Sequence, residues 1–344
     1  MAKKILNVAV VGCSGMAKLH MKGVNENENA NLYAICGTDS ENLKLRAEEF
    51  GVKRTFTDYN ELVADPNLDA VVLVTPDQLH LEMTEKFLRA GKAVLCEKPM
   101  ALTVEECEAM MKVERDTGGK LMIGQICRAN PRFAKMKEII DSGRIGDLMF
   151  VESEYAHNYT NARGFGDWRV DPARHPFIGG GCHAVDLLRW LAGDPTEVTA
   201  YSTKKNLLDW PTDDNTVAIM KFPNGVIGKV FVSTGCMRNY TMRTVIYGTK
   251  GTLICEGKSP YVQLFETNEE VGARFSDENP QILFSAYKDH NAVKEIEDFI
   301  EALVNGKPMP VSSMDGASTV AVCCAAVQSA KEGRPIEIKY PEIQ

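Results

Sequence analysis

The sequence predicts an α/β chain in two parts: a doubly wound parallel sheet over residues 1–125, then an α+β domain over residues 126–344 with an open, mostly antiparallel sheet. Two observations carry this. Short apolar runs alternate with helical patterns through the first third of the chain, as the strands of a sheet buried on both faces do. After about residue 125, several β-type runs follow one another with turns and no helix between them, which marks antiparallel pairing. At 344 residues the chain is long enough for two domains.

In the first part, strand patterns fall at residues 5–11, 31–36, 70–74, 93–96 and 121–124. Helical patterns fill residues 15–25, 40–50, 79–90 and 104–117. Thr103 followed by Glu106 forms a capping box at the start of the last of these. The second part opens with a helix over 131–142, a strand over 148–155 and a helix over 182–191. Strands then follow at 198–203, 216–222, 226–233, 242–247, 252–255 and 261–265. Pro223, Asn224 and Gly225, and the stretch from Gly248 to Gly251, are turn signals between paired strands. Helices over 292–305 and 317–331 close the chain.

Composition narrows the function. Lys and Arg number 39 against 47 Asp and Glu, a net charge of −8. That balance argues against a nucleic-acid binder, which shows a basic stripe. With 44% hydrophobic and 25% charged residues this is an ordinary globular composition. The ten cysteines include no C-x-x-C pair and sit mostly in apolar runs, so zinc ribbons and disulfide chemistry lose support and a reducing, cytoplasmic compartment is expected. The start lacks a signal-peptide pattern, and no apolar run reaches membrane-span length. The six histidines show no metal-ligand spacing, so no metal is expected.

The first chemical signal lies after the first strand. Gly12, Cys13, Ser14, Gly15, Met16 and Ala17 follow a strand and open a helix, the setting of a phosphate-cradling turn. Gly12 allows the tight turn, Gly15 the close approach of backbone N–H groups to a pyrophosphate, and Ala17 close helix–strand packing. The helix N-terminus favours the anion. Ser14 replaces the middle glycine of the G-x-G-x-x-G/A pattern. After the second strand, Gly37 stands where a ribose-binding carboxylate is expected, followed by Thr38 and Asp39. Without a carboxylate there a 2′-phosphate is not repelled, so NAD and NADP both stay open with a slight lean to NADP. Asp39 and Ser40 also suit a plain helix cap.

Lys98 lies at a strand end, after the apolar run 94–96 and Glu97 and before Pro99. Open α/β sheets bind ligands at that end. Hydride transfer at an alcohol carbon needs a partner for the hydroxyl proton and a donor for the developing alkoxide, and Lys98 suits the second need. His183 and Asp186 share a face at the start of a helix, after the three glycines 179–181. An imidazole there is disfavoured in its charged form, which suits a base, with Asp186 as its orienting group or simply a first-turn acid. Tyr155, His157, Trp168 and Arg169 form a stretch of ring and fork side chains fit for a polyol or sugar-acid pocket, which His175 and His290 can also face.

Several of these motifs together resemble the glucose–fructose oxidoreductase, inositol dehydrogenase and MocA family (Gfo/Idh/MocA). They are Glu97, Lys98 and Pro99 at a strand end, Thr75, Pro76 and His80 at the one before, the run from Gly179 through His183 and Asp186 to Trp190, the turn from Gly248 to Gly251, and the stretch from Ser329 to Ile336. The resemblance covers essentially the whole chain. It implies a Rossmann domain followed by an α+β domain whose open sheet mediates homodimers or homotetramers. It implies NAD(P)-dependent oxidation or reduction of sugars, cyclitols and related polyhydroxy small molecules. It places Lys98 on substrate and nicotinamide ribose, His183 as acid/base, and Thr75, Pro76, His80 and Glu97 along the cofactor. One departure stands out: family members commonly carry Asp four residues before the histidine, and here that residue is Gly179.

Three functions follow as expectations. The first is an oxidoreductase in which an ammonium (Lys98) and an imidazole (His183) meet beside the nicotinamide. The second is glycosidic-bond cleavage assisted by tightly held NAD, to which the missing acid at 179 gives room. The third is a non-enzymatic NAD(P) sensor, against which the Lys98 and His183 pair weighs.

Overall fold

A computed structural model describes residues 5–257, 259–266, 280–284 and 290–342. The chain divides into two compact units. The first gathers residues 1–125, 291–320 and 341–344; the second gathers 126–290 and 321–340.

The first unit holds a six-stranded sheet. Its elements in chain order are β1 (Leu6–Val11), α1 (Gly15–Glu26), β2 (Ala30–Cys36), α2 (Ser40–Phe50), β3 (Thr55–Phe56), α3 (Asn60–Val63), β4 (Ala70–Leu73), α4 (His80–Arg89), β5 (Ala93–Glu97), α5 (Val104–Thr117) and β6 (Leu121–Gly124). The strands run in the order β3-β2-β1-β4-β5-β6, and every pair is parallel. Strand β4 is buried along its whole length, so its alanine, valines and leucine show no polar alternation. The chain reverses direction across the sheet between β1 and β4, which is the crevice where such sheets take ligands.

Helix starts follow the capping chemistry. The Ser14 side chain accepts from the Ala17 N–H at α1. Asp39 accepts from the Asn42 N–H at α2. Thr103 and Glu106 close the expected capping box at α5, which ends on the left-handed Gly118.

The sequence placed α9 (Ala292–Asn305) after the boundary at 125, yet it packs in the first unit. Its apolar stripe of Ile296, Phe299 and Ile300 is buried. A Cβ on Gly23 of α1 would lie 3.0 Å from Ile296, so the two helices touch nearly backbone to side chain. A stripe of this kind is buried wherever an apolar surface is offered, and local sequence does not say which.

The second unit holds α6 (Pro131–Asp141), β7 (Leu148–Ala156), α7 (Pro176–Gly179), α8 (Cys182–Ala192), β8 (Glu197–Thr203), β9 (Asn215–Lys221), β10 (Ile227–Ser233), β11 (Thr241–Gly248), β12 (Gly251–Cys255), β13 (Tyr261–Glu266) and β14 (Gln281–Phe284). Helix α10 (Ser313–Glu332) contributes residues to each unit, and β15 (Ile336–Glu337) joins the second. The nine strands run β14-β13-β12-β11-β7-β10-β9-β8-β15. All pair antiparallel except β10 with β7. In β9, Thr216, Ala218 and Met220 point to the buried face, while Ile219 and Lys221 are exposed.

The turn signals connect β9 to β10, with Gly225 at φ +82°, and β11 to β12. The short strands β3, β14 and β15 were not legible in the sequence. Among the described residues no helix is long and apolar enough to cross a membrane. All ten cysteines are free thiols, and eight are buried.

Candidate active site

In the first unit the site is built on the ends of β1, β4 and β5. Gly12 has φ +118°, and a Cβ there would lie 2.2 Å from the Val74 carbonyl oxygen. Only glycine lets the chain turn this close to β4. Around Gly15 a Cβ would meet nothing within 4 Å, so the backbone there is open to a ligand. Ala17 is fully buried against the sheet. A turn with these properties at a helix N-terminus fits a dinucleotide pyrophosphate, which when bound supplies a hydride acceptor or donor.

Gly37 has a packing reason. A Cβ there would lie 2.6 Å from the Cys13 sulfur, so the second strand end and the phosphate turn interlock. Asp39 is given to α2: its carboxylate takes the Asn42 backbone N–H at 3.1 Å and the Asn42 amide at 2.7 Å. Those bonds hold its carboxyl below the usual range. Burial, then the nearby Asp39 charge, pushes the Cys13 thiol up to about 11.

Two residues expected along the cofactor are buried and hydrogen-bonded within the protein. His80 is wholly buried, with Nδ1 2.9 Å from the Pro99 carbonyl oxygen and Nε2 3.3 Å from that of Thr75. Burial opposes its charge, but Cys96, Asp77 and the Pro99 carbonyl outweigh that and push its pKa up to about 10. Both ring nitrogens are occupied, so His80 ties two strand-end segments together. Glu97 is also buried: Oε1 lies 2.7 Å from His20 Nε2, and Oε2 accepts from the Lys98 backbone N–H at 3.1 Å. Lys98 itself, like Thr75 and Pro76, is half-buried, and the Lys98–Pro99 bond is cis.

In the second unit β7, the glycine run and α8 assemble a cluster of rings. Tyr155 Oη lies 3.1 Å from His157 Nδ1 and 3.0 Å from Tyr159 Oη. The His183 ring stacks on Tyr155 at 6.1 Å between centroids and lies 5.4 Å from His290. Tyr240 Oη is 3.0 Å from His290 Nε2. Burial, then Tyr159 and Tyr240, raises the Tyr155 phenol well above its ordinary value, so it stays a neutral donor. Each glycine of the run admits a different neighbour. A Cβ would lie 2.3 Å from the Arg174 guanidinium carbon at Gly179, 2.5 Å from the Tyr155 ring at Gly180, and 2.5 Å from the Phe177 carbonyl oxygen at Gly181.

Asp186, expected to orient His183, is held by an arginine. Its two oxygens take a bidentate grip from Arg128, at 2.9 Å from Nε and 2.8 Å from Nη2. The Cys127 thiol lies 3.6 Å from His183 Nδ1. A planar fork meets a carboxylate better than an imidazole does. The guanidiniums of Arg169 and Arg174 both lie over the Trp168 ring, at 4.6 and 4.7 Å, and so Trp168 joins the cluster through Arg174. Arg169 donates to the Ala162 carbonyl at 3.1 Å, which makes it a loop brace. His175 caps α7.

Tyr240, Arg174, Cys127, Arg128, His20 and Glu295 were missed in the sequence. Each sits in an unremarkable local pattern, and only the fold brings it to the site. Among the described residues, His20, Glu97 and Glu295 are the one group of three side chains close enough together to offer a metal ligands, a combination their spacing hides.

The phosphate turn at the sheet's switch point, followed by an antiparallel domain with a buried ring cluster, defines an oxidoreductase with an NAD-binding Rossmann domain. Comparison with known proteins makes this specific. Residues 6–125 match the model of the oxidoreductase family with NAD-binding Rossmann fold, and residues 133–254 match the Gfo/Idh/MocA C-terminal domain. The chain belongs to the Gfo/Idh/MocA family and is an NAD-dependent oxidoreductase. It is 31% identical to an inositol 2-dehydrogenase of Rhizobium meliloti, over 96% of this chain and 98% of that protein. It is 28% identical to a scyllo-inositol 2-dehydrogenase (NAD(+)) of Bacillus subtilis, over 96% and 95%. Among solved structures, a putative myo-inositol dehydrogenase from Sinorhizobium meliloti superposes with TM-score 0.82 at 28% identity, covering 97% of this chain and all of that one. Levoglucosan dehydrogenase in complex with NADH shares the fold, with TM-score 0.89 at 23% identity over 98% of this chain and all of that one.

Proposed function

We propose that the chain moves a hydride between NAD and a secondary alcohol carbon of a cyclitol, sugar or related polyhydroxy compound. Lys98 orients the reacting oxygen and offsets the charge that develops on it. His183 exchanges the hydroxyl proton through Nε2, because Nδ1 is beside Cys127. NAD, held by the turn 12–17, would supply the acceptor for the C–H hydride in the oxidative direction, while the imidazole takes the O–H proton as the C=O forms. Thr75, Pro76 and the turn 12–17 line the cofactor, and Tyr155, His157 and Arg174 bind substrate.

The observation that carries this reading is the open glycine turn at the β1–β4 switch, with Lys98 immediately after the adjacent β5. Relatives named as inositol dehydrogenases favour a cyclitol. The buried Arg174 guanidinium at Gly179 adds a cation to a site otherwise built for hydroxyls, so sugar acids belong beside neutral polyols among the substrates. Gly37 leaves the 2′ position open to phosphate, but the anionic Asp39 next to the turn favours NAD.

A panel of cyclitols, sugars and aldonates with NAD and NADP, followed at the reduced-nicotinamide absorbance, tests the proposal. Lys98→Met is expected to abolish turnover and leave dinucleotide affinity within about threefold; near-wild-type turnover overturns the assignment. The glycine at 179 also favours a second reading, redox-assisted glycoside cleavage. Dinucleotide retained through gel filtration, with glycoside turnover and no net nicotinamide change, would select it.

The exposed face of the second sheet carries Tyr201, Ile219, Ile227 and Tyr247. An apolar face of this kind suits pairing with a second copy, and light scattering on the purified protein checks for a dimer or tetramer. The ten free thiols favour a reducing compartment.

A further inference from the structure

Three titratable side chains of the first unit share one water-excluded space. His20 comes from α1, Glu97 from the end of β5 and Glu295 from the first turn of α9. Their ligand-type atoms all lie within 4.8 Å of one another, and all three side chains are buried. Glu97 is fully engaged, by His20 at 2.7 Å and by the Lys98 backbone N–H at 3.1 Å. Glu295 is not: neither of its carboxyl oxygens has a hydrogen-bond partner. Nor can it swing to solvent, because α9 is pressed on α1 at Gly23 and Ile296.

Two carboxylates at this distance repel by about 3 kcal/mol even at an effective dielectric of ~20, before the cost of burying the second charge. One proton must therefore stay. Glu97 has the imidazole, the N–H and the neighbouring Lys98 ammonium to support an anion, so the proton falls to Glu295. We infer that Glu295 is a positioning residue, which by staying a neutral acid lets Glu97 keep its charge and both its bonds, and so fixes the strand end that carries Lys98.

The groups facing Glu295 are His20 from α1, Glu97 at the end of β5, Lys98 just after it, and Asp298 on its own helix. Burial raises its carboxyl well above the ordinary range, Glu97 and Asp298 add to that, and Lys98 opposes it. For Glu97, burial is outweighed by His20 and Lys98, which hold it below its ordinary value. The inference rests on the reading of Lys98 proposed above, so the proton and the positioning are tested separately.

Infrared spectra of the full-length protein labelled at the glutamate carboxyl carbon are expected to show a protonated-acid carbonyl band at pH 8 that disappears in Glu295→Gln. In kinetics, Glu295→Ala is expected to lower kcat about tenfold with the KM for dinucleotide changed less than about threefold, and Glu295→Gln to restore kcat to within about twofold. An absent band, a band unchanged in Glu295→Gln, or a stoichiometric divalent metal after dialysis overturns the inference. Full turnover in Lys98→Met with the band intact overturns the positioning role through Lys98 while leaving the proton on Glu295.

Discussion

The guanidinium of Arg174 fills the volume that a side chain at Gly179 would need, with its Cζ 2.3 Å from the position of a Cβ there. Arg174 is itself only 3% exposed and is stacked on Trp168, so it has little room to withdraw. The glycine and the arginine are one feature of the site. Where the family resemblance leads one to expect a carboxylate, this chain places a cation beside a glycine.

Gly179→Ala is therefore expected to cost about 1–3 kcal/mol of stability, the usual cost of overpacking. In an Arg174→Ala background the same change should cost less than half as much. A double-mutant cycle in urea measures the coupling; strictly additive effects would show that the two positions do not compete for space.

The second strand end predicts a similar coupling for the cofactor. Gly37→Ala drives a methyl into the Cys13 sulfur, 2.6 Å away, and Cys13 belongs to the phosphate turn. Dinucleotide Kd is expected to rise about tenfold, and Cys13→Ala in the same chain should recover most of it. Asp39→Ala is expected to shift the preference toward NADP, read as the ratio of the two kcat/KM values. An unchanged ratio would separate Asp39 from cofactor choice.

Asp186 is expected to behave as a structural partner. Asp186→Ala leaves the Arg128 guanidinium, only 12% exposed, without its bidentate acceptor. Removing one partner of a buried pair costs about 3–5 kcal/mol, seen as a large fall in Tm. A selective loss of kcat at unchanged Tm would restore Asp186 as the orienting group of His183.

His175 sets an acid limit. Its Nδ1 accepts the Phe177 N–H at 3.1 Å, and burial pulls its pKa down to about 4, against a weak opposing pull from Asp213. The unfolded chain therefore binds a proton that the folded chain refuses between about pH 6.5 and pH 4. The stabilisation is complete above about pH 6.5 and is lost as pH falls through that window, by up to about 3 kcal/mol. Urea denaturation of the wild type and His175→Gln across that window checks this, and the variant should show the shallower slope.

Much of the fold was legible because its causes are local. Apolar runs at strand length, the Thr103–Glu106 capping box and the turns at Gly225 and Gly248–Gly251 act over a few residues, and each recurs in the structure. The tight turn after β1 was legible for the same reason, since Gly12 works through its own backbone. For His80 and Glu97, expected along the cofactor, the sequence did not show the protein partners they take. Nothing in the strand ends says that carbonyls of Thr75 and Pro99 take both nitrogens of one ring.

The sequence by itself determined the two kinds of sheet and the NAD-binding class of the first domain, because periodicity and glycine conformation are written in neighbouring residues. Only the tertiary structure decided that α9 joins the first unit, that Arg128 claims Asp186, that Arg174 occupies the place beside Gly179, and that Glu295 faces Glu97. Those outcomes depend on which buried charges meet, and residues far apart in the chain carry no local mark of the partner they will find.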